Sequence, residues 1–216
     1  NPPATCGGPL PTGAPYYYVA TDGVDDPANG TESDPWATIT YALQNVGDGS
    51  VVIVRPGEYV GEVRLRGTFD AGVLVVSEVP YQARLRHDAT VVRCFYGQGI
   101  TLEGFDIAHS GPGAGALVVQ IQNLRDPADG RVGRITLRNN VLHDSYDNDI
   151  LKINNGAELV TVERNMFYNQ TGSDEHIDIN SASDVIVQDN VFMSDFAGSG
   201  RPVGNAPRQR HVRGQQ

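Results

Sequence analysis

Lysine occurs once in this chain, at Lys152, and the other fifteen basic residues are Arg. Set against 26 acidic residues they leave a formal net charge of −10. That balance excludes general nucleic-acid binding, because neutralising phosphates needs clustered Lys and Arg. It suits solubility, divalent cations or a cationic partner. No apolar run approaches the roughly 18 residues of a membrane span, so no span is expected. There is no GxSxG, HExxH, P-loop or dinucleotide fingerprint. With no initiator Met and no signal-like segment at Asn1, the chain reads as a mature, processed one. Only two cysteines are present, Cys6 and Cys94. The expectation is a disulfide that pins the Pro- and Gly-rich tail around Cys6 to the body, worth up to about 4–5 kcal/mol in the chain-entropy model. The alternative is two unrelated thiols, one of them buried.

What is present is repetition. One phrase occurs three times, as ITLRNNVLH from Ile135, VTVERNMFY from Val160 and VIVQDNVFM from Val185. Asn140, Asn165 and Asn190 mark the same place in each copy at a spacing of 25 residues. A looser copy, ITLEGFDIAH from Ile100, lies upstream, separated by a polar insertion near Gln122 to Gly133. Periods of this size mean a repeat architecture, and the β-rich, Asn-punctuated unit points to strands. The count of 25 Gly and 13 Pro suits many short strands joined by tight turns.

In order, residues 1–15 read as an extended N-terminal arm and residues 16–47 as a strand, a loop and a helix. The acids Asp22, Asp25, Asp26 and Glu32 in the loop serve turn chemistry, with a calcium loop as the alternative. Asp34-Pro35 is expected to start the helix, Asp34 as cap and Pro35 at the first helical position. Trp36, Ile39, Leu43 and Val46 then form one apolar stripe, which covers the open end of the repeat array. Residues 48–197 are the array, and 198–216 a polar, basic C-terminal arm. Stacking the repeats puts Val51–Val54, Val73–Val76 and the strands at Ile100, Ile135, Val160 and Val185 in one parallel sheet. A second takes Val119–Ile121, Leu151–Ile153 and Ile177–Ile179. Alternation sends Leu151 and Ile153 inward and Lys152 outward, close to Asp178 on the next coil and Gln120 on the one before. The three repeat asparagines are expected to stack at turns and hydrogen-bond along the array.

The run from Tyr17 to Val63, YYVATDGVDDPANGTESDPWATITYALQNVGDGSVVIVRPGEYVGEV, resembles the opening of bacterial secreted right-handed parallel β-helix proteins, many of them polysaccharide lyases. The 25-residue units are similar to their repeats, so the resemblance covers about 20–197. It implies an all-β fold, a right-handed single-stranded parallel β-helix of about six coils with an N-terminal capping α-helix, in a secreted, extracellular or cell-surface protein. It also implies contact with acidic polysaccharide and, in a lyase, calcium held by carboxylates while a basic side chain takes a proton. Lys152, His176 and Asp178 are the candidate catalytic residues, and Asp144, Asp147, Asp149, Asp174 and Glu175 the candidate calcium ligands. The flaw in Lys152 as a base is its acidic company, which raises its pKa unless a cation offsets it. The other reading of the same residues is a Lys152–Asp178 salt bridge with a solvated acidic rim. His109 and His143 align near corresponding turns, as a stacked pair, metal ligands or ordinary turn residues. Two sequons, at Asn29 and Asn169, lie in expected loops. A non-enzymatic alternative is a structural subunit that joins copies of itself head to tail into a filament or surface layer through the array ends and the two arms.

Overall fold

The computed structural model describes residues 4–124, 131–169 and 175–193. It is built mostly of strands, nearly all of them in parallel sheets, with a single helix among the described residues. The strands are β1 (Ala4–Thr5), β2 (Gly8–Pro9), β3 (Tyr16–Val19), β4 (Val51–Val54), β5 (Gly57–Val60), β6 (Val63–Ser77), β7 (Ala83–His87), β8 (Val92–Glu103) and β9 (Asp106–His109). They continue as β10 (Val119–Gln122), β11 (Gly133–Arg138), β12 (Val141–His143), β13 (Leu151–Asn154), β14 (Thr161–Glu163), β15 (Met166–Tyr168), β16 (Ile177–Asn180), β17 (Ile186–Gln188) and β18 (Val191–Met193). The helix α1 is Ile39–Asn45.

Three parallel ladders result. The first stacks the opening part of β6 on the opening part of β8, then β10, β13 and β16. The second stacks β3, β4, the closing parts of β6 and β8, then β11, β14 and β17. The third runs β5, β7, β9, β12, β15, β18. Because β6 and β8 are long enough to serve two ladders, the first and second form one continuous sheet. The expected pairing of Val51–Val54 with the strand at Val73 is present, as Val51 opposite Leu74 and Val54 opposite Ser77. The third ladder was not foreseen.

Alternation puts one face of every ladder inside. Leu65, Cys94, Ile121 and Ile153 from the first ladder, Val75, Leu102, Leu137 and Val162 from the second, and Leu85, Ile107, Leu142 and Phe167 from the third are all fully buried in one core. Burying a large aliphatic or aromatic side chain contributes about 1.5–3 kcal/mol, so this shared interior is the main reason the ladders stay in register. The asparagines bind the corners. Asn165 Oδ1 accepts from the Asn140 backbone N–H at 2.9 Å and from Asn140 Nδ2 at 3.1 Å, and Asn190 Oδ1 does the same for Asn165 at 2.8 and 3.1 Å. Each Nδ2 also donates to a carbonyl inside, Leu102, Leu137 or Val162. The residue before each, Asn139, Arg164 or Asp189, has φ of 53–54°, a left-handed turn that the ladder bonds hold in place.

The helix starts later than its sequence signals suggest. Thr38 is the N-cap, its hydroxyl accepting from the Tyr41 N–H at 3.1 Å. Asp34 is instead occupied in a turn, its N–H donating to Thr31 Oγ1 and its carbonyl accepting from Gly30 and Thr31, and Trp36 is bridged to Val19. Asp25 holds the helix start, accepting from the Ala37 and Thr38 amides at 2.9 and 3.0 Å and from the Thr38 hydroxyl at 2.7 Å. Asp25 and Asp26 thus carry turn and capping chemistry, Asp26 by accepting from the Ala28 N–H. Trp36, Ile39, Leu43 and Val46 join the core, and α1 packs against β6.

The expected Cys6–Cys94 disulfide does not form; both are free thiols. Cys94 points into the core and is fully buried, and burial pushes its thiol pKa up to about 12. Cys6 lies in the turn between β1 and β2, with its sulfur near Gly104 and its partner Tyr81. The two thiols are therefore on opposite sides of the sheet wall. What holds the arm is burial: Leu10 packs with Val51, Ile53 and Val76 on the outer face of the second ladder, and Gly7 lies so close to the buried Glu103 that an added Cβ would sit 2.3 Å from Oε1. The basic arm of residues 198–216 lies outside the described residues.

Candidate functional site

On the outer face of the first ladder, Arg64, Arg93, Gln120, Lys152 and Asp178 stand directly opposite one another on five successive strands. Beside them Gln122, Asn154 and Asn180 form a parallel row. Period-two alternation makes this strip, since the intervening residues Val92, Val119 and Leu151 are fully buried. Lys152 Nζ donates to Asp178 Oδ2 and lies 3.8 Å from Asp149 Oδ2. The bond to Asp178 raises the lysine pKa above its ordinary 10.5; partial burial opposes this, and the charges of Asp178, Asp149 and Glu175 add to it. Lys152 is held as an ammonium by its carboxylate partners, a hydrogen-bond donor and a positive charge on the outer face. Asn180 Nδ2 reaches the same Asp178 oxygen at 3.4 Å, and Gln120 Nε2 donates to Gln122 Oε1 at 3.1 Å.

At the β6 end of the strip the ladder is interrupted. Leu65 pairs with Cys94 but Arg66 pairs with Tyr96, so Phe95 is an extra residue, a β-bulge. The bulge brings two aromatic rings under two guanidinium groups, with Arg66 5.0 Å from the Tyr96 centroid and Arg93 5.1 Å from that of Phe95. Glu62 joins Arg64 and Arg93, each at 2.9 Å. A cavity of about 180 Å³ opens between Arg64, Leu65, Arg66, Arg93, Phe95 and Tyr96. None of these residues stood out in the sequence. A bulge breaks strict alternation, and RLRG and RCFYG carry no mark of where it falls.

The other expected site residues are dispersed. His176 turns away from Lys152 and Asp178: its Nε2 faces the Met193 carbonyl at 3.2 Å and its ring meets Phe192 edge-on at 5.6 Å, and burial lowers its pKa. Asp144 accepts from Asn169 and lies 2.9 Å from His143 Nδ1, and Asp147 accepts from the Ala116 N–H at 2.8 Å. Asp149 is buried beside Lys152, Glu175 adds its charge there, and Asp174 lies outside the described residues. Among the described residues, no three of His, Cys, Asp or Glu converge as a metal site requires.

His109 and His143 do not stack on each other. His143 opposes Ala108 and Tyr168 in the third ladder and stacks on the Tyr168 ring at 4.6 Å, while His109 opposes His87 and packs on Tyr146 at 6.4 Å. A cluster absent from the sequence reading forms here: Asp106 Oδ1 accepts from Arg86 and lies 3.0 Å from His143 Nε2, spanning the gap left by the small Ala108. Burial would raise the Asp106 pKa, but its bonds to His143 and Arg86 outweigh this and lower it.

Compared with known proteins, the chain matches no family model, no curated protein and no solved structure.

Proposed function

We propose that the chain is a right-handed, single-stranded parallel β-helix of about six coils, capped at its N-terminal end by α1, which binds acidic polysaccharide along the strip from Arg64 to Asp178. The helical reading is supported by three ladders that advance together and by the asparagine spacing of 25 residues. The binding reading is carried by one observation, the in-register row of Arg64, Arg93, Gln120, Lys152 and Asp178 on one outer face of a protein whose net charge is −10. Strands about 4.8 Å apart make the row about 19 Å long, enough for several sugar units of an extended chain. Guanidinium and ammonium groups pair with uronate carboxylates. The amides of Gln122, Asn154 and Asn180 offer both donors and acceptors to hydroxyls, and Phe95 and Tyr96 offer apolar faces to sugar rings. An extracellular setting, where such polymers are met, belongs to this reading.

Lys152 acts here by charge. Because its ammonium is stabilised beyond the ordinary lysine pKa, the strip should hold polyuronate with little change from mildly acidic to mildly alkaline pH. The test is retention of polygalacturonate and alginate, with calcium and with chelator, by wild type and Lys152→Gln. Retention that survives the chelator and falls roughly tenfold in the variant, the cost of one charged hydrogen bond, supports the reading. A wild-type protein that retains no uronan overturns it. Ultraviolet-absorbing unsaturated product would convert the strip from a binding face to a lyase site.

A second reading, association of copies through the solenoid end, is favoured by a separate observation. The last strands leave Ile186, Val191, Phe192 and Met193 exposed, with no strand paired beyond β16, β17 or β18 among the described residues.

A further inference from the structure

We propose that the cavity at the Phe95 bulge is an oxyanion subsite that selects a doubly charged sugar, a uronate bearing an ester-linked sulfate; this rests on the polysaccharide reading of the adjoining strip. Arg64 and Arg93 belong both to the cavity wall and to the strip, so a polymer lying on the strip reaches the cavity without a change of direction. Three guanidinium groups face it, and Glu62 neutralises one of their charges. Two positive charges remain, one more than a plain uronate cancels, in a chain whose net charge is −10. The Tyr96 and Phe95 rings lie beneath the guanidinium carbons of Arg66 and Arg93, a cation–π contact that uses no N–H donor. Guanidinium N–H groups not spent on Glu62 then remain for oxyanion oxygens. Arg93 spends one edge on Glu62, but two features leave donors over for a ligand. Arg93 Nε is buried without a hydrogen-bond acceptor among the described residues, and Arg66 forms no ion pair among them. A sulfate ester beside a carboxylate supplies the second negative charge and the additional acceptor oxygens. A phosphate ester offers the same chemistry, and the test separates the two.

The experiment measures equilibrium binding of alginate, its sulfated form and its phosphorylated form at one fixed ionic strength, since polyanion binding is salt-dependent. Wild type is compared with Arg66→Gln and with Arg84→Gln. Arg66 is exposed, so its loss does not threaten the fold. Arg84 is an exposed arginine of the third ladder, so its replacement changes net charge equally, away from the cavity. The expected result is a preference of wild type for the sulfated polymer of roughly tenfold or more, abolished in Arg66→Gln and retained in Arg84→Gln. Equal wild-type affinity for sulfated and plain alginate overturns the inference while leaving the strip reading standing, as does an equal loss of preference in both variants. A preference for the phosphorylated form overturns the assignment to sulfate. If no form of the polymer binds, the strip reading and the subsite fall together.

Discussion

At the scale of single residues, the asparagines carry the most structure per atom. Asn165 accepts two bonds from Asn140 and donates to Leu137 and Asn190, and it is buried. Asn165→Ala leaves several buried polar groups unmatched at about 1–3 kcal/mol each, so urea unfolding should show a loss of about 2–4 kcal/mol. Asn190, in the last described repeat and half-exposed, has no later copy donating to it among the described residues, and the same change there should cost less. Asp106 sets an acid limit. Its folded pKa lies below its unfolded one, so the stability it contributes is fully present above the ordinary carboxylate pKa and is lost as pH falls through the lowered value. Thermal melts of Asp106→Asn should accordingly be lower at neutral pH and flatter through the acid range than those of wild type.

At the scale of elements, α1 depends on contacts outside itself, being only seven residues long. Thr38→Ala removes both its cap and the hydroxyl bonded to Asp25. A loss of about 1 kcal/mol in chemical denaturation is expected, largely restored by Thr38→Ser. This element also shows how far sequence reasoning reaches. The stripe of Trp36, Ile39, Leu43 and Val46 marked the buried face correctly, because burial follows spacing. The start was misplaced, because Asp34-Pro35 is an equally good turn signal and the bridge from Trp36 to Val19 favours that use. The Lys152–Asp178 register was legible for the reason the stripe was, since period two and a regular repeat determine it. The Cys6–Cys94 pairing failed because it depends on which side of a wall each sulfur occupies, and the arm's path over the second ladder has no periodicity to reveal it. The Phe95 bulge, and with it the arginine cavity, was hidden by the assumption of unbroken alternation.

At the scale of the whole molecule the two ends differ. At the first, α1 joins the core; at the last, Val191 is 55% and Phe192 43% exposed. Exposed strand edges with apolar side chains invite pairing with another chain. Sedimentation velocity should therefore show reversible association that Val191→Asp abolishes without altering the unfolding midpoint, and a wild-type protein monomeric at high concentration would remove the end-association reading. The asparagine ladder also bears on how such a chain can change in length. Asn140 and Asn165 each bond to a copy 25 residues further on, and the longer stretch between β10 and β11 leaves both strands in register with β8. Growth or loss is then tolerated as whole repeats, which restore the next asparagine to its place, as connecting segments between strands, or as a local bulge such as that at Phe95, beyond which pairing resumes. A shift that no bulge absorbs would displace the strip on one face and the core on another in the same stroke, so the outer row inherits its spacing from the asparagine ladder.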